Sequence, residues 1–185
     1  MKSYQRIGFL LCINALLTLA SSLVFAYSAD ERARSTLAGL KGVHVAVENL
    51  GPDIEKEGLT QTQIQTDVEL KLGLAGITVL SKEELLMEKG RPKLHVAAHI
   101  GKTNVGYVYV CTIKLYQDVS LLRSPGVHSS APTWSVGHLG ITRSLQEIRD
   151  RAKYLVDKFI NAYLSANPKQ EQTKPLTKDR TFNSG

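Results

Sequence analysis

Lys93-Leu-His-Val-Ala-Ala-His-Ile100 and Tyr107-Val-Tyr-Val-Cys-Thr-Ile-Lys-Leu-Tyr116 decide the fold. Both stretches alternate. Leu94, Val96, Ala98 and Ile100 fall on one side of the first, and Tyr109, Cys111, Ile113 and Leu115 on one side of the second. Successive side chains of an extended chain point to opposite faces, so this period of two is the mark of a half-buried strand. The β-type run continues to Leu122, and a strand that long is expected to bend or bulge near Gln117-Asp118. The residues 101–106 between the two stretches read as a loop.

Working outward, Val43-His-Val-Ala-Val-Glu48 alternates in the same way and is expected as a strand. Asn49 to Gly58, with Gly51-Pro52, reads as a turn-rich connector. Thr60-Gln-Thr-Gln63 is the capping-box pattern, and Ile64, Val68, Leu72 and Ala75 follow at helical spacing. Gly76 is placed to end that helix in the left-handed conformation. Ile77-Thr-Val-Leu80 is a short strand, and Ser81 caps a short helix over Lys82–Glu88. Arg123 to Pro132, with Pro125-Gly126, reads as a connection. Thr133 to Ile141 reads as a last strand, interrupted by Gly137 and Gly140. Ser144-Leu-Gln-Glu147 is a second capping box. Behind it Leu145, Ile148, Ala152, Leu155, Val156, Phe159, Ile160 and Tyr163 form a stripe that ends at Asn167-Pro168.

The element order β-α-β-(α)-β-β-β-α predicts an α+β fold, a two-layer sandwich with a five-stranded mixed sheet and its helices on one face. The first βαβ unit sets two strands parallel, and the last three strands form a meander. The expected core is Val43, Val45, Val47, Ile64, Val68, Leu72, Ile77, Val79, Leu94, Val96, Cys111, Ile113, Leu155, Phe159 and Ile160.

The ends read differently. Lys2 and Arg6 precede a stretch without charge from Ile7 to Ala29, and Val24-Phe-Ala26 offers small or short residues at a cleavage site. That layout is a signal peptide over residues 1–26. The alternative is an uncleaved membrane anchor, since Ile7–Phe25 approaches the ~20 residues that span a bilayer. Asn14, Thr18, Ser21 and Ser22 dilute it and favour cleavage. The expected location is periplasmic or secreted, with membrane attachment only if the segment stays. Residues 38–166 are expected as the folded domain. Residues 167–185, polar and with two prolines, are expected as a disordered tail.

Of 23 basic residues against 17 acidic ones, Lys2 and Arg6 leave with the signal, and the remainder are scattered. No basic stripe with interleaved aromatics is present, so nucleic acid is not an expected partner. Cys12 goes with the signal. Leu11 before it is not the small residue that lipid attachment requires. Cys111 is then alone and is read as a buried apolar side chain rather than a reactive thiol.

Gly-x-Ser-x-Gly, glycine-rich phosphate loops, His-Glu-x-x-His and paired Cys-x-x-Cys are all absent. His95-Val-Ala-Ala-His99 has the spacing of a helical zinc motif. On a strand, though, residues four apart stand ~13 Å apart and cannot share one metal. No catalytic residue, metal or cofactor is assigned. His44 and Ala46 fall opposite the Val43/Val45/Val47 side, and His95, Ala97 and His99 fall opposite the Leu94/Val96/Ala98 side. If the two strands are neighbours, the face without helices carries His44, Ala46, His95, Ala97 and His99, extended by Val108, Val110 and Tyr116. Such a face is the candidate binding surface.

The helix ending in Leu74-Ala-Gly-Ile-Thr-Val79, the alternating Lys93–Ile100 and Tyr107–Tyr116 strands, Trp134-Ser135 and the closing helix together resemble a known module. It is the small periplasmic α/β domain of TolB-type proteins and of the lipoproteins that activate penicillin-binding proteins. The likeness spans Val43 to Leu164. It implies a bacterial envelope setting and action by docking to another envelope protein, without catalysis. This chain departs from the family in having no lipid-attachment cysteine and no propeller after the domain. The expected function is therefore a non-enzymatic accessory protein. The alternative is a small-ligand or metal-binding protein that uses the histidine face or Arg123–Pro132.

Overall fold

The computed structural model describes residues 30–168; the signal-peptide and tail readings fall outside them, except for Asn167 and Pro168. Five strands form one mixed sheet, in the order β2-β1-β3-β4-β5. They are β1 (Gly42–Val47), β2 (Thr78–Val79), β3 (Lys93–Thr103), β4 (Gly106–Leu121) and β5 (Ser124–Thr142). β1 runs parallel to both β2 and β3, while β3, β4 and β5 are antiparallel in succession. Helices α1 (Pro52–Lys56), α2 (Gln61–Leu74), α3 (Lys82–Met87) and α4 (Leu145–Ala166) accompany the sheet. The α+β architecture read from the sequence is the architecture found.

The core lies between the sheet and α2 and α4. Val43, Val45 and Val47, Leu94 and Val96, and Tyr109, Cys111, Ile113 and Leu115 point from the strands into one cluster. Ile64, Val68 and Leu72 of α2 meet them there, as do Ile148, Leu155, Val156 and Phe159 of α4. The aromatic centre is Trp134 edge-on to Phe159, with ring centroids 5.4 Å apart. Every residue expected in the core is buried except Val79, which is half-buried against it.

Local chemistry sets the helix ends. Thr60 and Gln63 close both halves of the capping box of α2. At the other end Gly76 takes φ 76°, and the Gly76 and Ile77 amides donate to the Gly73 and Leu72 carbonyls. This is the Schellman stop that a glycine permits and a β-carbon resists. At α4 the expected box does not form: Ser144 makes no side-chain cap bond. Thr142 Oγ1 instead donates to the Glu147 carboxylate and accepts from the Ser144 amide at 3.1 Å. The hydroxyl two residues upstream reaches the same carboxylate from the end of β5, and so ties strand to helix.

Five boundaries differ from the sequence reading. The expected 101–106 loop shrinks to a tight hairpin turn, because β3 runs on to Thr103 and β4 starts at Gly106, with Gly101, Lys102 and Thr103 paired to Val108, Tyr107 and Gly106. Arg123–Pro132 is not a connection, because β5 begins at Ser124 and pairs with β4 back to Leu121. Proline and glycine suggested a loop, yet the overlong β4 supplies a partner strand, and Ser120 Oγ donates to the Pro125 carbonyl at 2.6 Å. The β4–β5 register slips twice, between Leu115 and Tyr116 and between Ser120 and Leu121, on either side of the expected bend. The 49–58 connector contains α1, with Pro52 in its first turn and Ile54 buried. The packed unit also begins before Ala38. Residues 30–35 are helical, and Leu37 is fully buried.

Candidate functional site

Two buried apolar residues, Leu80 and Ala97, stand outside the core cluster. Both belong to the opposite side of the sheet, the side that α2 and α4 leave open. The strand registers lay this face out in rows. His44 stands beside Lys93, which is opposite Tyr116. Ala46 stands beside His95, which is opposite Lys114. Ala97 is opposite Thr112, and Thr112 is opposite Gly137. His99 is opposite Val110, and Val110 is opposite Leu139. Gly101 is opposite Val108, and Val108 is opposite Ile141. All eight residues read as a candidate surface therefore share one face.

The face does not gather its histidines. His44 Nδ1 donates to the Leu80 carbonyl at 2.8 Å, which fixes the ring beside the start of α3. There Glu83 is held below the ordinary carboxylate range, first by its own backbone amide, then by the Ser81 hydroxyl, and to a smaller degree by the charge of Lys82 and by His44. His95 stands edge-on to Tyr116 with centroids 5.9 Å apart, and the Lys93 ammonium lies 5.6 Å from the same ring. His99 is exposed, 3.9 Å from the Glu48 carboxylate. Each ring has a different neighbour. Among the described residues no three His, Cys, Asp or Glu side chains lie close enough to hold a metal ion.

The face instead divides into two zones. Toward the start of β3 it is basic and aromatic, with His44, Lys93, His95, Lys114 and Tyr116. Toward the β3–β4 turn it is apolar. Val108 is 37% exposed, Leu139 68% and Ile141 73%, and Val110 is half-buried among them. Cross-strand pairs of this kind, Val108 with Ile141 and Val110 with Leu139, stabilise a sheet, yet here they also leave apolar surface in water. Leu139 and Ile141 are the site residues that sequence reasoning missed. Their alternation with His138, Gly140 and Thr142 carries the signal, but only pairing with Val110 and Val108 shows that they extend the same patch.

The core side of β4 and β5 holds the remaining reactive group. Cys111 is 1% exposed, and burial pushes its thiol up to about 11, with only a small opposing pull from Arg151. A thiol so protonated is not a nucleophile at neutral pH. The Glu57 carboxylate accepts from Lys102 Nζ at 2.6 Å and from the Tyr107 hydroxyl. These two bonds, Lys102 first, keep it below its usual range. They tie the turn after α1 to the β3–β4 hairpin. Among the described residues no helix is long and apolar enough to cross a membrane.

No family model matches the chain. No curated protein matches it in sequence.

Proposed function

We propose that this chain is an exported, non-enzymatic accessory protein of the bacterial envelope that works by docking another envelope protein on its open sheet face. The observation behind this reading is the face itself. Leu139, Ile141, Val108 and Val110 form an apolar zone that none of the described helices covers, bordered by Lys93, Lys114 and three histidines. A surface of that composition fits a partner whose contact patch is apolar at its centre and acidic at its margin. The basic head and apolar run at residues 2–25 support export.

Capture of partners from envelope extract of the native organism tests the reading. Val110→Asp and Lys114→Glu are expected to lower recovery of a captured envelope protein at least tenfold. Leu74→Asp, on α2 and 81% exposed, is expected to leave it unchanged. Equal recovery by all three variants would refute the docking face.

A further inference from the structure

The two edges of the sheet are unequal. β2 is an edge of two residues, too short to template a neighbour. β5, at the other edge, runs 19 residues without one Asp, Glu, Lys or Arg. Natural sheets blunt a free edge with charges, prolines or bulges. On β5 these devices are confined to its first part. Pro125 and Pro132 lie there, and the two register shifts fall opposite Leu115/Tyr116 and Ser120/Leu121. Asp30 and Arg34 flank Trp134, Ser135 and Val136 in a shared cleft. Among the described residues Gly137 to Thr142 has none of this protection.

We infer that this segment pairs with the same segment of a second copy, giving an antiparallel dimer with a continuous ten-stranded sheet. The argument for a second copy rests on charge and on symmetry. The net positive charge of the chain sets two copies against each other overall, and a β5–β5 contact adds no like-charge pair to that repulsion, because β5 carries no Asp, Glu, Lys or Arg. Among the described strands, the two-residue β2 aside, β5 is the one that has no strand partner on one side along its whole length. A two-fold axis perpendicular to the sheet keeps the open faces on the same side. Centred on Gly140, it sets Leu139 opposite the second copy's Ile141, and Ile141 opposite its Leu139. The two exposed apolar side chains then become cross-strand pairs, and the Val108/Val110 zone doubles across the axis. Gly140 leaves the axis free of side chains.

The inference concerns the edge and goes beyond the docking face; a monomeric protein would leave that reading where it stands. The test is sedimentation equilibrium on the full chain as the producing cell leaves it, with two variants. The unsubstituted chain is expected at twice the chain mass. Leu139→Lys is expected at the single mass, with an unchanged circular dichroism spectrum. In the doubly substituted Leu139→Cys/Ile141→Cys chain, oxidation is expected to yield a covalent dimer on a non-reducing gel, which either single cysteine does not give. A single mass for the unsubstituted chain at about 100 µM, a concentration that populates any dimer with a Kd in the micromolar range, would overturn the inference. So would a dimer indifferent to Leu139→Lys, or a double variant that does not cross-link.

Discussion

Arg149 of α4 grips Asp67 of α2 with two parallel bonds, Nε to Oδ2 at 2.6 Å and Nη2 to Oδ1 at 2.9 Å. The fork fixes the relative rotation of the two helices that roof the sheet, beside the Lys71–Asp157 contact at 2.5 Å. The side chains are 26% and 17% exposed, so water screens the pair only in part. Arg149→Leu is expected to cost about 1–2 kcal/mol, because Asp67 then loses both donors while still half out of water. Urea denaturation measures the loss. A cost below about 0.3 kcal/mol would place the pair with ordinary surface salt bridges.

The packing of Tyr109 depends on a missing side chain. A β-carbon at Gly140 would lie 2.7 Å from Tyr109 Cζ, and Tyr109 is itself 2% exposed. Gly140→Ala is expected to destabilise the protein by about 2 kcal/mol or more through overpacking. Gly137→Ala, whose β-carbon would meet Thr112 Cγ2 at 3.3 Å, is expected to cost clearly less. Thermal melts of the two variants give the order directly.

Cys111 supplies a pH dependence whose sign follows from its burial. In the native chain the thiol holds its proton up to about 11, whereas an unfolded thiol loses it near its ordinary value of about 9. Between those values the native state binds more protons than the unfolded one, so stability falls as pH rises through the window. Below it the contribution is fully present. Cys111→Ala is expected to melt lower at neutral pH because of the cavity, yet to lose less stability between pH 9 and 11 than the parent. Native Cys111 is also expected to resist maleimide until the protein is unfolded. Rapid labelling of the native protein would contradict its burial.

The two capping motifs looked alike in sequence and differ in space. Thr60→Ala is expected to cost about 1 kcal/mol, since its hydroxyl accepts from the Gln63 amide. Ser144→Ala is expected to cost little, and Thr142→Val, which breaks the bonds to Glu147 and to the Ser144 amide, clearly more. Chemical denaturation of the three variants checks the ranking.

That contrast marks what the sequence could carry. Periodicity located the core strands and long helices, because alternation and the 3.6-residue stripe report directly which side is buried. It placed His44, His95, His99, Val108, Val110 and Tyr116 on one face once the strands were taken as neighbours. It could not choose between Thr142 and Ser144, which compete for one carboxylate. It could not show that Ser124–Ala131 is extended, since that depends on the partner strand Gln117–Leu121 rather than on its own prolines. Leu37 was missed because Ala33, Leu37 and Leu40, which all meet the core, make too short a helical stripe ahead of β1 to stand out. The apolar zone was half legible. Leu139 and Ile141 acquire their meaning only from the register against Val110 and Val108.

The central claim is that the face opposite α2 and α4 is where another protein sits. Site-specific photo-crosslinking in living cells tests it most directly, with the reactive group placed in turn at Val108, Val110, Leu139, Leu70 and Leu74. The account predicts one recurrent adduct of an envelope protein from the three open-face positions and none from Leu70 and Leu74, which lie on α2. Adducts from the α2 positions with none from Val108, Val110 and Leu139 would contradict it.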